Sequence, residues 1–326
     1  MSMELDYTFH AMGSDVRLLI GKPLLHHAAS PEQVAERERT FVLDFARRLS
    51  RFRPDSELTV FNRDRRPAVP ASQLLRAAVT AAVWAAERSD GLVDPTLVGE
   101  LERSGYAASL DGSEPASLRE ALATAPARRA ARPSPAARWR QIIVDNQSGL
   151  IYRPPGVMVD TGGTGKGLCA DAVARRLGSH TRFVVDCGGD IAVGGVGAGL
   201  EPYEIEVEHP LTQTRIGTLR VGRGGVATSG LNVRIWRDGA GAFAHHLLDP
   251  STGTPAWSGL IGATALGPSA LEAETLSKLA LLLGPAAARE VLAQYGGVIV
   301  HDDGAVESAG PCDWRVEPAT TPMVAA

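Results

Sequence analysis

Cysteine is scarce in this chain, and that scarcity removes several kinds of protein at once. Cys169, Cys187 and Cys312 are odd in number and widely spaced. They offer neither the paired spacing of a zinc site or redox motif nor a disulfide framework, and are expected to be reduced and structural. Basic charge is also in short supply. With 33 Lys and Arg against 37 Asp and Glu the net charge is −4, which argues against a nucleic-acid partner. The arginine clusters at Arg47–Arg53 and Arg63–Arg66 are local, and read as a solvated helix end and the loop after it. The opening Met1-Ser-Met-Glu-Leu-Asp has no basic start, no apolar stretch of signal length and no cysteine to carry a lipid, so a cytoplasmic location without membrane insertion is expected. No tandem repeat of solenoid period occurs.

What is present suits a globular enzyme. A hydrophobic share of 44% over 326 residues is enough for one large core, so a single catalytic unit over residues 1–326 is expected. Tyr7 to Ile20 alternates like a strand, broken at Gly13 by a bend or a close backbone approach. Val34, Phe41, Val42, Phe45 and Leu49 recur at helical spacing after Ser30-Pro31, which predicts a helix from 31 to 49. The Ala-rich run from 72 to 87 predicts another. Residues 107–137 turn into Ser, Pro, Ala and Arg and read as an exposed insertion, helical at most around 117–125, and residues 317–326 read as a flexible tail. The second half alternates strands, at Val157–Val159, Phe183–Val185, Ile191–Val193, Tyr203–Val207, Ile216–Val221, Val226–Thr228, Phe243–Leu248 and Gly262–Leu266, with helices at Gly165–Leu177 and Ser269–Leu283. The fold class is mixed α and β.

The stretch from Val157 to Asp171, VMVDTGGTGKGLCAD, carries the most chemistry. A buried segment ends in an acid and runs through four glycines into a helix start, where backbone N–H groups can meet an anion or a nucleotide. It is not a Walker A loop, because Asp160 stands five before Gly165 and Lys166 is followed by Gly167. A dinucleotide fingerprint of the form Gly165-x-Gly167-x-x-Ala170, with Asp186 further on, is a weak signal. Taken alone, Lys166 reads equally as an exposed helix-start residue and Asp160 as a helix cap. Downstream, Gly188-Gly-Asp190 turns a hairpin, Thr228-Ser-Gly230 ends a strand, and His246 precedes Asp249 in HLLDPSTG, where a plain turn and a structural histidine are the bland alternatives.

Together these segments resemble the ApbE family of FAD:protein FMN transferases along nearly its whole length. Met12-Gly13-Ser14 stands for the family's Met-Gly-Thr. Leu49-Ser-Arg-Phe-Arg-Pro-Asp-Ser-Glu57 with Asn62 stands for Ser-x-Tyr-x-x-x-Ser-Glu before an Asn. Gly91-Leu-Val-Asp-Pro-Thr96, Asp160 to Asp171, Gly188 to Asp190, Thr228 to Gly230, His246 to Gly253 and Ala273 to Lys278 ahead of Leu283-Gly284 follow in the family's order.

The resemblance implies an α+β fold of mixed sheets with FAD in a cleft. It implies that Met12, Phe52, Leu92, Val93 and Asp94 line the flavin and adenosine sites, that Asp160 and Leu168 contact the dinucleotide, and that His246 is the catalytic histidine with Leu247 a neighbouring FAD contact. Asp249 is expected to orient His246 or to shape the turn that presents it. The family's Mg²⁺ is held by a carbonyl of the glycine turn, here Gly165, and by an Asp and a Thr, here replaced by Glu274 and Lys278. Glu274 offers hard oxygen, but an ammonium at Lys278 cannot ligate and repels a cation, so it is expected to supply part of the metal's charge. An exposed i,i+4 ion pair is the alternative. The implied reaction attaches FMN to a Ser or Thr of an acceptor flavoprotein and releases AMP. An FAD carrier or sensor with reduced transfer, and an FAD pyrophosphatase giving FMN and AMP, are the alternatives.

Overall fold

The alternating run at the start of the chain folds back on itself at Met12 and Gly13. Both hold positive φ, 56° and 69°, the two-residue turn whose twist suits antiparallel strands. The one expected strand is therefore two, Leu5–Ala11 and Ser14–Ile20, paired from Leu5 with Ile20 to Ala11 with Ser14. The structure is a computed structural model and describes residues 4–24 and 29–317. From residue 318 onward the expected tail lies outside the described residues.

The hairpin forms one edge of an eight-stranded sheet. In spatial order its strands are Leu5–Ala11, Ser14–Ile20, Phe183–Cys187, Asp190–Gly194, Gly224–Gly230, Leu260–Gly267, Gly297–His301 and Val306–Ala309. Every neighbouring pair is antiparallel. Because side chains alternate between faces, Val184, Ile191, Val193, Val226 and Val298 meet Val207, Leu219 and Val221 of a separate three-stranded sheet. Val185, Cys187 and Ala192 point the other way, into a cluster shared with the helices Pro31–Leu49, Gln73–Arg88 and Gly165–Arg176. A second cluster joins Ala263 and Ala265 to Leu276, Ala280 and Leu282 of the helix Ala270–Leu283. This is the expected α+β class.

The first helix begins and ends where its spacing predicts. Ser30 and Gln33 form a reciprocal capping box and Pro31 occupies the first turn, satisfying N–H groups that the helix itself leaves open. Val157–Val159, in contrast, is not a strand. Its backbone is satisfied largely by side chains: Asn62 Oδ1 accepts from Val159 N–H and its Nδ2 donates to Val159 O, both at 2.8 Å, and Arg153 donates to Val157 O at 2.7 Å, while Val157 N–H turns back to Pro154 O. The expected strand Phe243–Leu248 is likewise two short ones, Phe243–His245 and Leu248–Asp249, interrupted at His246 and Leu247.

The Ala/Arg/Pro-rich stretch is exposed over much of its length but anchored to the core. It contains the helix Leu118–Thr124, and Leu118, Ala121 and Ala131 belong to the second apolar cluster. Its later part exposes most side chains but is stitched down by its backbone, Arg129 N–H to Trp257 O and Ala131 N–H to Leu282 O, both 2.9 Å. Among the described residues no helix is long and apolar enough to cross a membrane.

Candidate functional site

A cleft of about 680 Å³ lies where the two helical clusters meet, within the range of about 300–1,000 Å³ usual for small-molecule sites. Separate stretches of chain converge on it. Met12 comes from the hairpin turn, Phe52 from the segment after the first helix, and Leu92, Val93 and Asp94 from the loop after Gln73–Arg88. Asp160 through Lys166 forms the glycine-rich turn, and His246, Leu247 and Lys278 complete the wall. Asp160 N–H donates to Pro95 O at 2.8 Å, tying two of these stretches together. Asp94 Oδ1 accepts from both the N–H and the hydroxyl of Thr96, and burial pushes its pKa up.

Three expected site residues do not line the cleft. Leu168 packs into the first apolar cluster, because the helix that starts at Gly165 turns its side chain toward the core. Asp249 makes the turn and not the histidine contact: its Oδ1 accepts from Ser251 N–H, Ser251 Oγ and Arg132 N–H. Glu274 is wholly buried behind the cleft wall. Asp160 does not cap the helix either; it closes the turn by accepting from Gly162 N–H at 2.8 Å, while the N-cap position belongs to Thr164.

His246 sits at the break between two short strands. Its Nδ1 lies 3.4 Å from Arg234 O. A carbonyl only accepts, so Nδ1 carries the proton and Nε2 keeps its lone pair. Burial holds its pKa well below the ordinary histidine value, with the charges of Arg234 and Lys278 adding to the effect. The imidazole is therefore neutral at pH 7 with the Nε2 lone pair free, while the same burial weakens it as a base.

Beneath the glycine turn two lysines meet two carboxylates. Lys278 Nζ donates to Glu274 Oε1 at 2.9 Å, and Glu274 Oε2 accepts from Gly167 N–H at 2.9 Å. Lys166 Nζ lies 2.8 Å from Asp190 Oδ2, ion-paired though not aligned as a hydrogen bond, and donates to Gly188 O at 2.8 Å. Burial opposes the charge on Lys166, but Asp190 and Glu274 outweigh it and hold its pKa above the ordinary value. Burial, then Asp190, pushes the Glu274 pKa up, and the two ammonium groups pull it part of the way back.

This arrangement does not fit a divalent ion at the expected place. Both oxygens of Glu274 already accept hydrogen bonds, and an ammonium stands where the second side-chain ligand would be. Among the described residues no group of three or more His, Cys, Asp or Glu is placed to hold a metal.

Sequence reasoning missed Arg51. It lies in a cluster that reads as solvated, yet only 6% of its side chain is exposed. The guanidinium pairs with Asp160 at 3.3 Å and stacks 4.1 Å from the Phe52 ring centre and 4.4 Å from that of Tyr106, on the cleft wall. Its Nη2 has no hydrogen-bond partner among the described residues. The available signal was its place inside the Ser50 to Glu57 motif. Asp190 and Lys166 escaped because 24 residues separate them.

Comparison with known proteins agrees with this geometry. The model of the ApbE family matches residues 12–300. An FAD:protein FMN transferase of Klebsiella pneumoniae is 28% identical over 259 residues, 77% of this chain and 71% of that protein. One of Salmonella typhimurium is 27% identical over 254 residues, 76% and 70% of the two chains. Among solved structures, the ApbE protein of Thermotoga maritima superposes with a TM-score of 0.77 at 25% identity, over 94% of this chain and 97% of its own. The apo flavinyl transferase ApbE of Pseudomonas stutzeri gives 0.73 at 22% identity, over 94% and 95%. The family match spans the hairpin turn, the glycine-rich turn, the His246 segment and the lysine-bearing helix, so this chain belongs to the ApbE family.

Proposed function

We propose that this protein is an FAD:protein FMN transferase that uses FAD as substrate and joins FMN to a Ser or Thr hydroxyl of an acceptor flavoprotein. The observation that carries the reading is the neutral His246, fixed through Nδ1 with Nε2 left to accept a proton, on the wall of a cleft floored by a glycine-rich turn and lysines. Relatives of the same family named FAD:protein FMN transferase support it.

The residues account for the transfer as follows. A hydroxyl is a poor nucleophile at neutral pH, so Nε2 of His246 takes its proton as the oxygen attacks the FMN-side phosphorus. The bond from that phosphorus to the bridging oxygen breaks, and AMP leaves with the bridging oxygen and its electron pair. A bound pyrophosphate would counter the charges of Arg234 and Lys278 and so raise the His246 pKa, while burial, the larger cause of its depression, would remain. Asp160 shapes the turn, whose N–H groups at Gly163 and Gly165 are left to face the phosphates, and Met12, Phe52 and Leu92 to Asp94 enclose the ring systems. Asp249 acts on the turn alone. Mg²⁺, which the family resemblance implies, has no matching donor set here, and no step is assigned to it.

Incubation with FAD and a Ser/Thr-containing peptide tests the reading by product. Transfer gives an FMN-peptide adduct and AMP in equal amounts. FMN and AMP without adduct would indicate a pyrophosphatase, and bound but intact FAD a carrier.

A further inference from the structure

The Glu274 and Lys278 pair is one helical turn apart, but it is not a surface pair: the side chains are 0% and 12% exposed. With its second oxygen accepting from Gly167 N–H, Glu274 is clamped between two helices and aims Lys278 at the cleft. The aim is visible at Gly163, where an added Cβ would stand 3.9 Å from Lys278 Cε, so the end of this side chain lies under the glycine turn. Lys166 approaches from the start of the neighbouring helix, held by Asp190 and Gly188 O. Both lysines line the cleft together with His246. An ammonium carries three N–H donors, and among the described residues neither lysine has all three engaged.

From this geometry we infer that Lys166 and Lys278 together replace the divalent cation, so that FAD is bound and cleaved with no metal in the site. The inference rests on the flavin-transfer reading above. Two ammonium groups supply the two positive charges of the missing ion. Each is kept in place by its own buried carboxylate, and each directs N–H groups at the pyrophosphate. As the bridging oxygen departs with AMP, the charge gathering on that phosphate is met by these donors, while the acceptor's proton resides on His246. Glu274 is then a positioning residue for Lys278 and not a ligand. A divalent ion brought to the same place would face an ammonium at close range, and the two would exclude each other.

The test reads FAD binding through flavin fluorescence, and metal binding through the electron paramagnetic resonance of Mn²⁺. Wild-type protein should bind FAD with affinities within about twofold of each other in EDTA and in Mg²⁺, and its FAD complex should retain no stoichiometric Mn²⁺ after gel filtration. Lys278→Thr should lose about tenfold or more in FAD affinity in EDTA and regain it with Mg²⁺. Circular dichroism checks that the variant is folded, and the wild-type arm stands without it. Wild-type binding that collapses in EDTA, or one Mn²⁺ held per FAD complex, overturns the inference and leaves the transferase reading intact. Failure to bind FAD in either buffer overturns both.

Discussion

Nδ1 of His246 lies 3.4 Å from the main-chain carbonyl oxygen of Arg234, and this one contact decides which edge of the imidazole is left to the substrate. His246→Ala should therefore leave FAD affinity nearly unchanged while slowing transfer by about 10²–10⁴-fold, the usual worth of a general base. Dissociation constants from flavin fluorescence and single-turnover AMP release measure the two separately. Full transfer activity in the variant would remove His246 from the mechanism.

His245, its neighbour, is wholly buried against Trp257, and desolvation pushes its pKa down to about 3. An unfolded chain takes up a proton there near pH 6.5 while the folded chain does not, so stability is fully present above pH 6.5 and declines as pH falls from 6.5 toward 3. The slope for one such group is about 1.4 kcal/mol per pH unit. Urea unfolding of wild type and His245→Phe at pH 7.0, 6.0 and 5.0 should show the shallower dependence in the variant. Parallel curves would mean that His245 is charged in the folded state.

Gly163 separates binding from folding. An added Cβ there meets nothing closer than Val93 Cγ1 at 3.8 Å and Lys278 Cε at 3.9 Å, which is ordinary contact, so the backbone tolerates a side chain. Gly163→Val should fold with near wild-type melting temperature and lose FAD binding by about 100-fold or more, because its branches enter the cleft above Lys278. Normal FAD affinity in the folded variant would make the turn purely structural.

Gly167 predicts the opposite balance. A Cβ there would lie 2.7 Å from Ala270 O and 2.8 Å from Glu274 Oε2, so the helices Gly165–Arg176 and Ala270–Leu283 touch only because this position is glycine. Gly167→Ala should cost about 1–3 kcal/mol of stability as the helices are forced apart. It should also release the N–H that holds Glu274. Denaturant unfolding measures the loss, and an unchanged midpoint would show that the helices can separate freely.

Much of the fold was legible because local signals and burial agree. The helix Pro31–Leu49 has an apolar stripe, a capping box and a proline in its first turn, all pointing to one answer. Val157–Val159 misled because an apolar, extended run predicts backbone pairing but not the partner, and here the partners are the side chains of Asn62 and Arg153. At the site, Met12, Phe52, Asp94, Asp160 and His246 were found through motif order and do line one cleft. Leu168 and Glu274 fall in the same motifs yet turn away from it, since spacing along a helix fixes a face only once its packing partner is known. Arg51 was hidden in a cluster where Arg47 and Arg53 are exposed, and its stacking on Phe52 and Tyr106 with its ion pair to Asp160 sets it apart.

The arginine-rich segment from residue 126 to residue 135 puts most of its side chains, buried Ala131 excepted, in water and its backbone to work. Arg129, Ala131 and Arg132 each donate an N–H across the chain, to Trp257 O, Leu282 O and the Asp249 carboxylate. Asp249 in turn shapes the loop that follows His246. Main-chain donors do not depend on which residue supplies them, proline excepted. Apart from buried Ala131 and the ion-paired Arg128 and Arg129, the composition of this segment is accordingly free to drift while its length is not. Removing a single residue between Arg129 and Arg132 would move the donors out of register with their acceptors and loosen the loop beside His246.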